Sequence, residues 1–240
     1  SYTELISIHR NIPVSRHFNS IIGATRELFV GWCKPASINV HNKAVKYLCL
    51  ATLLWPVSAY SVTFVHGVDE TAKLPFWSIT NQGVSIRLVQ RLPDQSRAFF
   101  MARGFSPEHA EVIAQSCVFQ TVFKNISHKT ENPSPVSYNL RNWVVMHDGK
   151  NKLMKVREDW DKEWKARNAP MPAQIAFKWG LFPTEQVYQP GDYNWGMSMF
   201  NLKPGSKFDL KVVWVQHGKS SSAIIKNIEC APDVEAPGVK

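Results

Sequence analysis

Four short stretches in the last third of the chain read as strands, and three turns separate them. Gln174 to Phe182, Tyr193 to Phe200, Lys207 to Gln216 and Ala223 to Cys230 are parted by Gln189-Pro190-Gly191-Asp192, Lys203-Pro204-Gly205-Ser206 and His217-Gly218-Lys219. Short strands divided by Pro-Gly turns at this spacing favour an antiparallel sandwich. Upstream, Val84, Ile86 and Leu88 alternate with Ser85 and Arg87, and Cys117, Phe119, Thr121 and Phe123 share one face of a further strand. Val136 to Met146 and Lys152 to Val156 form an expected strand pair through His147-Asp148-Gly149-Lys150, where Asp-Gly is a hairpin signal.

Helical signals interrupt this pattern twice. Asp94 to Arg103 reads as a helix stopped by Gly104, and Ser106-Pro107-Glu108 opens another with an N-cap serine and a proline in the first turn. Phe99, Phe100, Val112 and Ile113 would pack this hairpin onto a sheet. Arg157 to Arg167 is a charged helix with Trp160 and Trp164 one turn apart, ended by Pro170 and Pro172.

Leu202, Pro204-Gly205 and Phe208-Asp209-Leu210-Lys211-Val212 resemble the L-x-P-G-x-x-Y-x-L-x-V run of immunoglobulin-like and fibronectin type III sandwiches. Phe208 stands at the tyrosine position, so the corner hydrogen bond from a hydroxyl is absent. The resemblance implies an immunoglobulin-like architecture; with the helical signals above, the expectation is a mainly β, immunoglobulin-like antiparallel β-sandwich with an N-terminal helical hairpin and one inserted helix, over residues 84–232. Residues 60–83 are then a linker and 233–240 a disordered tail. Arg91 to Phe105 and Phe177 to Thr184 also resemble secreted proteins of proteobacteria, which implies an export route and little chemistry.

The apolar run Tyr47 to Ala59 fits that route. It follows Lys43 and Lys46, spans thirteen residues and closes on Val57-Ser58-Ala59, the three parts of a secretory signal peptide. A bilayer span needs about twenty apolar residues, and here Pro56, Ser58, Ser61, His66, Asp69 and Glu70 interrupt the run. A buried core helix is the other reading. Cleavage would leave a mature start at Tyr60 or Val62, and a periplasmic or secreted protein that touches membrane through this segment alone if it is retained. No methionine precedes Met101, so residues 1–46 are expected to be a spurious or disordered extension, with initiation at a codon such as that of Val40.

The formal charge is +9, from 28 basic and 19 acidic residues. Six of the basic and two of the acidic residues precede Tyr60, which leaves 22 against 17, or +5. The remaining Lys and Arg are interspersed with Asp and Glu, so no nucleic-acid partner is expected. Of four cysteines, Cys33 and Cys49 fall before the expected cut, and Cys117 and Cys230 remain to form one disulfide in an oxidising compartment.

Motifs of known chemistry are missing: there is no Gly-rich phosphate loop, G-x-S-x-G, H-E-x-x-H or C-x-x-C. Glu158, Asp159, Asp161 and Glu163 alternate with Lys155, Arg157, Lys162, Lys165 and Arg167, the pattern of a solvated helix face. No enzyme activity and no cofactor are expected. Met197 and Met199 lie two apart on an expected strand and, with His217 in a nearby turn, supply soft ligands that suit copper in an exported protein. That is the alternative reading. Seven tryptophans follow Ala59; Trp179 and Trp214 are expected in the core, whereas Trp143, Tyr193 and Trp195 are candidates for a carbohydrate or partner surface. The function that best fits is an exported, non-enzymatic binding or assembly accessory of the cell envelope with a protein partner.

Overall fold

The computed structural model describes residues 62–81 and 83–234, all within the unit Val57–Lys240. The expected extension 1–46, the signal segment 47–59 and residues 235–240 of the tail lie outside the described residues. In chain order the elements are β1 (Thr63–Val68), β2 (Pro75–Asn81), β3 (Val84–Gln90), α1 (Pro93–Met101), α2 (Pro107–Ala114), β4 (Val118–Asn125), β5 (Val136–Asn139) and β6 (Val144–His147). They continue with β7 (Lys150–Leu153), α3 (Arg157–Ala166), α4 (Met171–Gly180), β8 (Glu185–Tyr188), β9 (Tyr193–Met199), β10 (Lys207–Gln216) and β11 (Lys219–Glu229).

The strands form two antiparallel sheets. The first has the order β1-β2-β3-β4-β9. In the second, β10 pairs with β11 along one edge, and with β6 and then β5 along the other. β7 and β8 extend that side outward. The expected single strand from Val136 to Met146 is broken: Asn139 Oδ1 accepts the Arg141 backbone N–H at 2.9 Å and starts a 3₁₀ turn, Leu140–Asn142. Residues 138–143 therefore stand opposite only residues 212–214 of β10. The insertion drives Leu140 and Trp143 inward, where both are buried.

The expected linker, residues 60–83, carries two paired strands among its described residues. β1 and β2 pair over six residues, from Thr63↔Thr80 to Val68↔Pro75. β2 alternates as a half-buried strand should, with Trp77 and Ile79 in the core and Ser78 and Thr80 facing the other way. Asp69 shapes the connecting turn by accepting the Thr71 and Ala72 N–H groups at 3.0 and 2.8 Å.

The expected strand from Gln174 to Phe182 is mostly helix α4. Ile175, Phe177, Trp179 and Leu181 alternate with period two, but Ala173, Phe177 and Leu181 also recur at i, i+4 and i+8. Helix wins because Pro172 suits the first turn and because Phe177 fills a cluster with Phe100, Phe105, Trp160 and Trp164, at ring separations of 5.2 to 5.8 Å. A helix places Trp179 on the opposite side from Phe177, and it is 81% exposed rather than buried.

Two cores result. Between the sheets, Trp77, Ile86, Leu88, Phe119 and Phe123 meet Tyr138, Val145, Leu210, Val212, Trp214 and Ile225. On the opposite face of the first sheet, Val118 and Met199 meet the helical residues Phe100, Ile113, Trp160, Trp164 and Phe177. The first sheet is thus covered on both faces at its Val118–Met199 end. The disulfide Cys117–Cys230 joins the start of β4 to the end of β11, with Cα atoms 5.2 Å apart, so it ties the two sheets together across a separation of 113 residues. Such a bond is compatible with an oxidising location.

Candidate functional site

The helices leave part of the first sheet uncovered. The register aligns Ser78, Arg87, Val122 and Trp195 across β2, β3, β4 and β9. The neighbouring row runs through Thr80, Ser85, Lys124 and Tyr193. Both rows lie on the face opposite the inter-sheet core, because Phe119 and Phe123 occupy the intervening positions of β4. Tyr193 is 63% and Trp195 58% exposed.

Cations stand among these rings. Lys124 Nζ lies 5.6 Å from the Tyr193 ring centre, and the Arg87 guanidinium lies 3.5 Å from that of Phe76 while pairing with Asp69 at 2.7 Å. The Ala72 N–H, with Arg87 and the Thr71 N–H beside it, holds the Asp69 carboxyl below the usual carboxylate range.

A second exposed feature lies on α4. Met171, Ile175 and Trp179 recur along one side of α4 and are all more than half exposed. Arg157, Lys178, Ile175 and Trp179 line a shallow depression there. The end of α4 is fixed to β9: the Phe182 N–H donates to the Met197 carbonyl at 2.8 Å, and a β-carbon on Gly196 would come within 2.6 Å of Phe182 Cα. Glycine is required at that crossing because the obstruction is backbone.

The residues singled out from sequence fall in different places. Trp143 is no surface residue; it is fully buried between the sheets and its Nε1–H donates to the Val213 carbonyl at 2.9 Å. Met199 is buried against the helices and Met197 is half-buried beside it. His217 stands elsewhere, in the β10–β11 turn, bonded to Ser134 Oγ at 3.1 Å. Asn125, at the far end of β4, donates to the Ser134 carbonyl at 2.8 Å, whereas Met199 pairs with Val118 at the near end. Seven strand residues separate those ends, roughly 23 Å. The structure therefore does not bring Met197, Met199 and His217 together, and among the described residues no group of three or more His, Cys, Asp or Glu stands in metal-binding proximity.

The α3 carboxylates are engaged one by one. Glu158 accepts from Thr184 Oγ1 at 2.9 Å and pairs with Arg141 at 3.1 Å, and Asp161 pairs with Lys178 at 3.6 Å. Glu163 contacts Lys155 and pairs with Arg167 at 2.9 Å. Burial, with repulsion from Arg167, holds the Lys155 pKa down to about 8; its ammonium lies 3.5 Å from the Trp160 ring centre. A larger network surrounds Arg97, which binds Asp94, Glu111 and Asp233 at 2.8, 2.6 and 2.6 Å. These carboxylates raise the Arg97 pKa, Glu111 most. The network ties α1 and α2 to residue 233 of the expected tail.

No family model, curated protein or solved structure matches the chain.

Proposed function

We propose that this protein is an exported, non-enzymatic accessory of the cell envelope that docks a protein partner through the exposed stripe of α4. The observation that carries the reading is the trio Met171, Ile175 and Trp179, apolar and solvent-facing on a helix whose other side buries Ala173 and Phe177. Water-exposed apolar side chains aligned on one helix face are a feature of interaction surfaces. Tryptophan beside arginine is the composition of binding hot spots, and Arg157 and Lys178 border the stripe. The inter-sheet disulfide is compatible with a periplasmic or secreted location. The scaffold is read as an immunoglobulin-like sandwich, supported by burial of Leu202 and Phe208 of the corner run in the inter-sheet core.

The test is affinity capture from envelope extract with the wild-type chain and with Trp179→Ala, followed by crosslinking. A partner captured by the first and lost by the second, with crosslinks on α4, is the expected result. Capture that ignores Trp179→Ala and Ile175→Ala removes the assignment. Export is checked separately by mass spectrometry of the mature N-terminus, expected at Tyr60 or Val62.

A further inference from the structure

The uncovered face of the first sheet has a chemistry of its own, distinct from the α4 stripe. Its exposed aromatics, Tyr193 and Trp195, are two residues apart on one strand and project to the same side, about 7 Å from one another along β9. Hydrogen-bonding side chains that carry no charge, Ser78 and Gln120, and the cations Arg87 and Lys124 share that face. None of the outward positions of β1, β2, β3, β4 or β9 is Asp or Glu. Arg87 is neutralised by Asp69 of the β1–β2 turn. Lys124 forms no ion pair among the described residues.

We propose that this face binds an extended acidic glycan, with sugar rings stacked on Trp195 and Tyr193 and a carboxylate or sulfate of the chain paired with Lys124. Flat aromatic faces accept the apolar C–H face of a pyranose, while hydroxyls are met by Ser78 and by the amide N–H groups of Gln120, whose Oε1 accepts from Arg91. With no Asp or Glu at the outward strand positions and Asp69 paired with Arg87, Lys124 leaves the face a positive charge beside its aromatic rings, complementary to an anionic sugar. Single-stranded nucleic acid also combines stacking with cations. A glycan is favoured here on the proposed export of the protein, with which the disulfide is compatible, and the oligonucleotide arm of the experiment tests the other polymer.

The experiment titrates the full chain with polygalacturonate, with dextran and with oligodeoxythymidine at low salt, following tryptophan fluorescence and calorimetric heat. Polygalacturonate is expected to bind, to weaken with added salt, and to lose about tenfold in affinity or more on either Lys124→Ala or Trp195→Ala. Trp179→Ala leaves this binding unchanged, which separates the site from the α4 docking stripe. Equal binding of dextran refutes the role of charge, and tighter binding of the oligonucleotide reassigns the face. Failure of polygalacturonate to bind, or retention of full affinity in both variants, overturns the proposal. Tyr193→Phe, which keeps the ring, is expected to retain affinity where Tyr193→Ala does not, and unchanged unfolding midpoints confirm that these exposed substitutions leave the fold intact.

Discussion

Opening the Cys117–Cys230 bridge tests whether the covalent link between the sheets is a main source of stability. The bridged residues are 113 apart, and a loop of that length confines the unfolded chain by about 5 kcal/mol in the chain-entropy model. Total stability for a domain of this size lies at about 5 to 15 kcal/mol, so the bridge would be a large share of it. The Cys117→Ala, Cys230→Ala double variant should lower the urea midpoint by about 2 to 3 M at an m-value of about 2 kcal/mol per molar. Cys117 sits at φ +55°, in the left-handed region that glycine enters freely. Replacing Cys117 by Gly instead of Ala, in the Cys230→Ala background, should therefore recover about 1 kcal/mol. Equilibrium urea unfolding by circular dichroism is the assay, with thiol titration of denatured wild type to confirm that the sulfurs are oxidised. A double variant within about 1 kcal/mol of wild type at equal m would refute the loop-closure reasoning.

Further outcomes follow from individual contacts. Gly196→Ala should cost about 3 kcal/mol because the new methyl meets the Phe182 backbone, whereas Gly180→Ala, whose nearest neighbour is Met197 Cε at 3.8 Å, should be neutral or stabilising by under about 1 kcal/mol in thermal unfolding. Phe177→Ala should lose about 3 to 5 kcal/mol from the helix-side core; Trp179→Ala, two residues away, should change stability by less than about 0.5 kcal/mol. Burial pushes the Tyr188 phenol up to about 12 and Tyr138 higher still. A phenol whose folded pKa lies above its unfolded value near 10 is stabilising while neutral, so stability should fall as pH rises from 10 towards 12. Absorbance at 295 nm reads this out, with Tyr188→Phe removing part of the fall.

Some of this architecture was legible along the chain and some was not, for reasons visible in particular residues. β3, β4, β10 and β11 are revealed by alternation, because each turns apolar side chains towards the facing sheet at every second position; β9 also alternates, but its apolar residues point to the opposite face, towards the helices and solvent. The run Pro-Phe-Trp-Ser-Ile-Thr-Asn alternates just as clearly in β2, and its buried Trp77 and Ile79 start the sheet before residue 84. α4 was ambiguous in principle, since Ile175 to Leu181 satisfies both periods and only the tertiary partners of Phe177 decide between them. Proximity to a turn says nothing of the direction of Trp143, and the 3₁₀ insertion that turns it inward starts at the Asn139 side chain. The pairing of Cys117 with Cys230 is expected once Cys33 and Cys49 are set aside with the signal-like segment, and the structure has that bridge.

The same facts explain why the surface features cluster where they do. A sheet buried on both faces is a rigid platform, and the first sheet has that character only from Val118–Met199 to the crossing at Gly196. Beyond the crossing, β9 leaves the cover of the helices and its next outward residues, Trp195 and Tyr193, emerge into solvent. A single close contact, α4 ending on Gly196, therefore sets both the limit of the helix-side core and the start of the open ledge. It also orients α4, whose packed face is held by Phe177 and whose free face then presents Trp179. Loosening that crossing should disturb both proposed surfaces together, whereas Lys124→Ala and Trp179→Ala, which touch neither the crossing nor the core, should each disturb one.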